Sequence, residues 1–473
     1  MTEEWITRQL VEYTVEARFD RIPGAVVEQA KLHLLDSLGC SLGGSRSPIG
    51  ESVMEPFKRM GGSPDATLVG GGAKAPVVQA AFVNGTCANA LDFDDTYLAD
   101  GIGHPGASII PAALAAGEWK QATGKEILTA MITAYDVGNR IGHAIQPTPE
   151  RMANVWGVGT WQTFGAVVGA AKTMGLDRDG MFNAFGIAGA TAPLPNTQKW
   201  GWDISERPIH WVKEPTGWPC WTGTLAAVLA ENGFVGNRYI LDGDNGFWIM
   251  AGSDQCDYEK MTHGLGEEFV LNNDMSFKPY SCCRWQHPAL DALGLILTEH
   301  GLGPEDIKSI DIHSFAWVKS QEVHDPVSVV DAQFCIPYTA AMVIMGYPPG
   351  PGWYTEENLA RPDIAALARR VRVHTDPALD RRYVKDKELS ARVEVATCKG
   401  DILDRFVEIP LGDPRNPLSP EQVRDKFMRQ ATHVLNSDAA AQAMALVDRF
   451  ETLETVDDLM GLLAGNPAQT RSH

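Results

Sequence analysis

The hydrophobic periodicity of the chain changes from helical to strand-like near residue 276, and this change constrains the fold more than any other feature. Before it, apolar residues recur every three to four positions in segments rich in alanine and glycine, such as TFGAVVGAAKTMG. This spacing predicts amphipathic helices, and the small residues predict that these helices pack closely. After it, segments such as RVEVATC alternate apolar and polar residues, which is typical of strands.

The strand-like part of the chain is short and is followed by helix again. The segments IKSIDIHSFA, RVRVHTD, RVEVATC and DILDRFVEI surround one helical stretch, DAQFCIPYTAAMVIMG. After a proline-rich loop, helical periodicity returns behind a predicted N-cap at Ser419. We therefore predict a mainly α protein, in which a large all-helical domain of residues 1–272 and 410–473 carries an inserted, smaller α+β lid domain of residues 273–409. The length of 473 residues also favours two domains, since one core usually stops growing at roughly 250–300 residues.

The composition argues against several classes of partner and compartment. Sixty acidic residues against 40 basic ones give a net charge of −20, so neither nucleic acid nor an anionic membrane surface is an expected partner. The N-terminal segment has no basic start followed by an apolar core, and no apolar run is long enough to span a bilayer. The eight cysteines include no CxxC pair, which predicts a reduced, cytoplasmic protein.

The most polar segment of the first half is ALDFDDTYLADGIGHPGAS, residues 90–108. It does not fit an EF-hand calcium loop, because Tyr97 stands where the sixth position requires glycine. No second histidine lies three or four residues from His104, so we predict no metal site. A solvated helix end and an acid/base loop remain as alternatives.

The spacing of the aspartates in this segment predicts which of them meet. On a helix that continues to about Thr96, two of them, Asp92 and Asp95, share a face. Asp94 then points elsewhere. Carboxylates at the C-terminal end of a helix oppose the helix dipole, which disfavours each by a few tenths of a kcal/mol. Such a cluster therefore indicates a compensating function.

A cationic segment, SFKPYSCCRWQHPALDA, follows in the second half of the chain. It places Lys278, Arg284 and His287 just before a helix predicted to begin with Pro288. Positive charge near a helix start predicts a site for carboxylate or phosphate, with an ordinary surface loop as the alternative. In HWVKEPTGWPCW, Lys213 lies among tryptophans, which indicates either a pocket or buried core.

Blocks spread over nearly the whole chain resemble those of the MmgE/PrpD family. In chain order they are HLLDSLGCSLGG, AAFVNGTCANALDFDDT, GHPGASIIPAALAAGE, AYDVGNRIG, FGAVVGAAKTMGLD, LAENGFVG, KPYSCCRWQHPALDA, AQFCIPYTAAMVIMG and GDPRNPLSPEQVRDKF. The resemblance implies a helical domain completed by the C-terminus, an α+β lid domain, a homodimer and no obligatory cofactor. It also implies an activity like those known in the family: dehydration of 2-methylcitrate, decarboxylation of cis-aconitate or epimerisation of iminodisuccinate.

The resemblance extends to single site positions and shows two departures. The positions that match are Asp92, Thr96, His104, Lys278, His287 and Tyr338. Trp156 and Pro215 stand where the family commonly has histidine, with Lys213 close to the second. The large apolar ring of Trp156 narrows that wall of the pocket, which implies an acid different from the best-known substrates of the family.

The family reactions move a proton or a carboxyl group at a carbon next to a carboxylate, where fixed cations stabilise the charge that develops. A histidine suits proton transfer near neutral pH, so we predict that His104 is the acid/base group and that Asp92 orients it. The full predicted set consists of the catalytic residues His104, Asp92, Lys278 and Tyr338 and the substrate-binding residues Thr96, Lys213, Arg284, His287 and Trp156.

Elimination of water from a small di- or tricarboxylic acid is the leading predicted reaction. It needs a base, an acid for the departing hydroxyl and cations on the carboxylate. Epimerisation, decarboxylation and binding of a small acid without turnover stay open as alternatives. In all of them Asp94, Asp95 and Asp100 have structural or solvated roles.

Overall fold

The computed structural model of the protein describes residues 5–97, 103–197, 207–209 and 216–465. In these ranges the chain is mainly α-helical with only small sheets, which confirms the predicted class. None of the described helices is both long and apolar enough to cross a bilayer. The helices before residue 276 are α1 Ile6–Glu16, α2 Gly24–Gly44, α3 Pro48–Met60, α4 Val77–Asn89, α5 Pro105–Lys120, α6 Gly124–Ala144, α7 Pro149–Met152, α8 Val158–Thr173, α9 Arg178–Thr191, α10 Gly217–Glu231, α11 Phe247–Met250, α12 Tyr258–Thr262 and α13 Val270–Asn273.

Three small antiparallel ribbons connect parts of this helical region. They pair β1 Ala66–Leu68 with β2 Ala73–Ala75, β3 Thr96–Tyr97 with β6 Met275–Ser276, and β4 Val155–Trp156 with β5 Asn196–Thr197. The pairing of β3 with β6 joins the acidic segment of the sequence to the start of the cationic one.

The predicted strands of the second half are β7 Ile307–Ser314, β8 Val371–Thr375, β9 Ala391–Thr397 and β10 Ile402–Val407. They form one four-stranded sheet in the order β10-β9-β7-β8, where only β7 and β8 run parallel. Alternate residues of β9 are buried, as the period of two requires. The elements of this region are α14 His287–His300, β7 Ile307–Ser314, α15 Ala316–Lys319, α16 Val329–Gln333, α17 Ile336–Ile344, α18 Glu356–Leu359, α19 Pro362–Ala368, β8 Val371–Thr375, α20 Pro377–Asp386, β9 Ala391–Thr397 and β10 Ile402–Val407.

Three further helices end the described chain: α21 Pro420–Ala431, α22 Ser437–Asp448 and α23 Asp457–Leu463. Ser419 caps α21, as predicted, in a capping box with Gln422. Apolar side chains of α21–α23 belong to the same large core as those of the first-half helices, whereas the residues around the sheet form a second core. The predicted boundaries of the lid domain, at 273 and 409, stay a prediction.

The small residues of the first half allow helices to meet backbone against backbone. A Cβ placed on Gly138 of α6 would lie 2.8 Å from the Cα of Gly165 on α8, closer than carbon atoms can approach. The two helices therefore cross where both lack a side chain.

A buried ion pair joins the C-terminal helices to α2, and its lysine also contacts the acidic segment. Lys426 of α21 places its Nζ 2.6 Å from Asp36 Oδ1 on α2, and both residues are about 1% exposed. The same ammonium group donates a hydrogen bond of 2.6 Å to the carbonyl of Phe93 and lies 4.0 Å from the centre of its ring. Burial raises the pKa of Asp36, while the charge of Lys426 acts against this rise.

We expect the substitution Lys426→Met to lower the free energy of unfolding by about 3–5 kcal/mol, because the Asp36 carboxylate stays buried without its countercharge. The midpoint of urea unfolding measures this loss. The double variant Asp36→Leu, Lys426→Met removes both charges, so we expect it to recover most of the stability. A single variant as stable as the wild type would contradict the buried ion pair.

Candidate active site

The acidic segment forms a turn and a strand, and the predicted helix through it was wrong. Helix α4 already ends at Asn89, whose carbonyl accepts a hydrogen bond of 2.8 Å from the N–H of Asp92. Asp92 has a φ of 48°, in the left-handed region that side chains other than glycine rarely adopt. This turn stops the helix, and Thr96 then pairs with Ser276 across the ribbon.

The contacts of the three aspartates in this segment differ from the prediction. Asp92 and Asp94 both contact His104, with oxygen–nitrogen distances of 3.8 and 3.1 Å. Asp95 contacts other partners altogether. The predicted pairing of Asp92 with Asp95 was therefore wrong. Asp94 is buried against His104 and is not solvated, and its structural role stays a prediction. Asp100 lies outside the described residues.

Asp95 anchors the segment on the side of the helical core. Its carboxylate accepts hydrogen bonds from the Tyr135 hydroxyl at 2.6 Å and the Gly106 N–H at 2.8 Å, and it lies 2.7 Å from Nδ1 of His33. Burial by itself would raise the pKa of Asp95, but these partners outweigh burial and lower it. Since Gly106 lies in the first turn of α5, Asp95 fixes the segment to the helix that follows His104.

His104 is held on both its backbone and its ring. It is the N-cap of α5, and Gln162 of α8 donates a hydrogen bond of 2.5 Å to its carbonyl. Asp94 Oδ2 lies 3.1 Å from its Nδ1, while Asn89 donates a hydrogen bond of 3.0 Å to the other oxygen of Asp94. A carboxylate at Nδ1 favours the tautomer that carries its proton there and leaves Nε2 as the basic atom.

Nε2 of His104 faces a charged pair. Asp92 Oδ1 lies 3.8 Å from Nε2 and 2.5 Å from Nζ of Lys278, which also donates a hydrogen bond of 3.0 Å to the Asp92 carbonyl. Lys278 is about 1% exposed. Burial disfavours its charged form, but the carboxylate of Asp92 more than compensates and raises the pKa of Lys278. A base, a carboxylate and an ammonium group thus meet at one point of the interior.

This group also has the composition of a metal site. Asp92, Asp94 and His104 each offer one ligand atom, and these atoms lie within 4.8 Å of one another. However, Lys278 already supplies positive charge 2.5 Å from an Asp92 oxygen. A metal ion at that oxygen would meet the repulsion of the ammonium group. The prediction of a site without metal stays a prediction.

Arg284 and His287 form a second buried pair next to Lys278. Nη1 of Arg284 donates hydrogen bonds to Nδ1 of His287 at 3.0 Å and to the Leu411 carbonyl at 2.8 Å. Burial and the charges of Arg284 and Lys278 hold the pKa of His287 well below its usual value. Nε2 of His287 faces the Cys282 carbonyl at 3.3 Å, so both of its ring nitrogens have partners. The roles of Arg284 and His287 in substrate binding stay a prediction.

The remaining predicted residues are less closely tied to this group. Tyr338 of α17 is buried and donates its hydroxyl proton to the Trp353 carbonyl, so its catalytic role stays a prediction. Trp156 of β4 is 5% exposed and lines a cavity of about 710 Å³, together with residues that include Trp285, Trp317 and Tyr383. Lys213 and Pro215 lie outside the described residues.

Sequence reasoning missed the residues that orient His104. Asp94, Asn89 and Gln162 hold the imidazole ring and backbone by direct contacts. The closeness of Asn89 and Asp94 to His104 in the sequence was the available signal, but residue types at this spacing do not show which side chains meet.

The chain matches the MmgE/PrpD N-terminal domain over residues 8–258 and the MmgE/PrpD C-terminal domain over residues 280–452. It is 25% identical to cis-aconitate decarboxylase of Aspergillus terreus, an alignment that covers 97% of this chain and 96% of that protein. Identity to cis-aconitate decarboxylase of Mus musculus is 26%, with 96% and 92% covered. Identity to 2-methylcitrate dehydratase of Cupriavidus necator is 27%, with 89% of both chains covered. Because the two domain matches together span most of its length, as the sequence blocks predicted, the chain belongs to the MmgE/PrpD family.

Proposed function

We propose that the protein is a lyase that removes a proton next to a carboxylate of a small di- or tricarboxylic acid and eliminates water. The observation that carries this proposal is the meeting of His104 Nε2, Asp92 and Lys278 in the interior. Curated relatives that cover nearly the whole chain are lyases, which supports the same reaction class.

His104 and Lys278 have different tasks in this reaction. His104, held by Asp94 at Nδ1, takes the proton from the carbon at Nε2. Lys278 and the buried Arg284 stabilise the negative charge that develops on the adjacent carboxylate. The imidazolium formed in this step then protonates the departing hydroxyl, so that a carbon–carbon double bond and water are the products.

Decarboxylation is the second candidate. It is favoured by the alignment to cis-aconitate decarboxylase of Aspergillus terreus, which covers 97% of this chain. In that reaction the carboxylate leaves as carbon dioxide. The imidazolium form of His104, protonated on both ring nitrogens, delivers the Nε2 proton to the carbon left behind. Epimerisation has less support, because it needs proton transfer on two opposite faces of the carbon. Among the described residues of the site, the contacts support proton transfer by His104, which can serve one face of the carbon.

The direct experiment is an NMR assay of purified protein with hydroxylated and unsaturated di- and tricarboxylates in deuterated water, including 2-methylcitrate and cis-aconitate. Elimination gives an unsaturated acid, decarboxylation gives an acid one carbon shorter, and epimerisation gives deuterium in an acid of unchanged composition. No conversion and no deuterium exchange with any acid would contradict the proposal.

The eight cysteines are free thiols in the structure, and seven of them are at least partly buried. Free thiols in a chain of this size support a reducing compartment, so we extend the proposal to a cytoplasmic enzyme.

Asp94 and Asp95 are adjacent in sequence but have different partners, which makes them a matched pair for mutation. We expect Asp94→Asn to lower kcat by roughly 10²–10⁴ with little loss of stability, because the amide no longer holds the Nδ1–H tautomer of His104. We expect Asp95→Asn to lower the free energy of unfolding by about 1–3 kcal/mol, because it weakens bonds in the core. Turnover and urea midpoints measure the two effects. If the two variants lost turnover and stability to the same extent, the assignment of Asp94 to His104 and of Asp95 to the core would be contradicted.

Removal of divalent cations tests whether the site uses metal. We expect EDTA treatment followed by desalting to leave turnover and the melting temperature unchanged, because Lys278 supplies the positive charge at Asp92. The matched control is EDTA-treated protein to which Mg²⁺, Mn²⁺ or Zn²⁺ is returned. Loss of turnover that one of these ions restores would show a metal centre at Asp92, Asp94 and His104.

A further inference from the structure

Two buried hydroxyl groups face one another across the ribbon of β3 and β6. Thr96 and Ser276 are register partners, and they are 1% and 0% exposed. Among the residues that the structure describes, neither Thr96 Oγ1 nor Ser276 Oγ has a hydrogen-bond partner. Burying a hydroxyl without a hydrogen-bond partner costs folding free energy. Two such groups side by side therefore indicate a site where a ligand supplies the missing hydrogen bonds.

Neighbouring side chains show which side of the ribbon these hydroxyls occupy. Phe277 stacks on His33 of α2 with ring centres 4.3 Å apart, and Met275 receives a contact of 3.6 Å from Asn139 of α6, so both pack against helices of the first half. Ser276 lies between these two residues in an extended segment and therefore points the other way.

Lys278 lies on the same side as Ser276, since its Nζ reaches Asp92. Directly opposed residues of an antiparallel pair point to the same face, so the Thr96 side chain lies there too. Asp94, two residues before Thr96, also contacts the site through His104. The two hydroxyls thus share their face of the ribbon with the charged groups of the candidate active site.

Lys278 has one more donor than it uses. An ammonium group carries three N–H donors, and the contacts of Nζ within the described ranges are the carbonyl and Oδ1 of Asp92. One N–H of Lys278 therefore lacks an acceptor among these residues.

We propose that Ser276, Thr96 and the third N–H of Lys278 form a subsite that binds one carboxylate group of the acid, which makes Ser276 a substrate-binding residue. Three donors suit the oxygens of a carboxylate, which accepts hydrogen bonds only. The subsite rests on the proposed function and adds to it: the bound carboxylate is the one next to the carbon that His104 deprotonates. Its oxygens gain negative charge in that step, so the same three donors stabilise the transition state.

The test compares Ser276→Ala with a matched control, Ser390→Ala. Ser390 is also fully buried with a hydroxyl that has no partner among the described residues, but it precedes β9 in the second core. For Ser276→Ala we expect roughly tenfold to hundredfold weaker binding of the acid, as for loss of a hydrogen bond to a charged group. We expect its melting temperature without acid to equal or exceed that of the wild type, because the variant no longer buries an unpaired hydroxyl.

Binding is measured by calorimetry with 2-methylcitrate, cis-aconitate and related di- and tricarboxylates, and Ser276→Cys provides a near-isosteric second variant with a weaker donor. We expect Ser276→Cys to bind with intermediate affinity and Ser390→Ala to bind like the wild type.

If the wild type binds an acid and Ser276→Ala binds it equally well, the subsite is wrong while the proposed function stands. A lower melting temperature of Ser276→Ala would show that the hydroxyl is structural, which also overturns the subsite. Failure of the wild type to bind any acid overturns the proposed function, and the subsite with it.

Discussion

The contacts around Asp95 are the constraint on which the candidate site depends. They tie the acidic segment to α2 through His33, to α6 through Tyr135 and to the first turn of α5 through Gly106. Asp95 contacts His33 and Tyr135 in the core, whereas its neighbour Asp94 contacts His104. The segment therefore has a side that supports the fold and a side that carries the chemistry.

The segment also lies between the two main apolar cores. Leu91 and Phe93 belong to the core around the sheet, whereas Tyr97 belongs to the core of the helical region. Lys426 adds a hydrogen bond from the C-terminal helices to the Phe93 carbonyl, between the two aspartates of the site. Charged groups in such surroundings are shielded little by water, so Lys278 and Asp92 interact strongly there.

Much of the fold was predictable from the sequence because its periodic segments are long. The four strands around residues 307–407 and the capping box at Ser419 were recognised from alternation and from cap residues. The turn at Asp92 was not, because a left-handed aspartate has no distinctive sequence signal when helical spacing precedes it.

The site was predictable in part. The family blocks identified Asp92, His104 and Lys278, which the structure brings together. They did not identify Asp94, although its contacts with His104 and Asn89 are local in sequence. They also did not identify Ser276, because its proposed role depends on a ribbon between segments about 180 residues apart in sequence. Residue types and spacing along one segment carry no information on such a pairing.

The protonation state of His104 tests the central claim most directly. Nitrogen NMR of histidine-labelled protein, with the signal of His104 assigned from its absence in His104→Gln, reports which ring nitrogen carries the proton near neutral pH. The contact with Asp94 predicts that Nδ1 carries a proton in the wild type and that this preference is lost in Asp94→Asn. A proton on Nε2 alone in the wild type, or a ring unaffected by Asp94→Asn, would contradict the account.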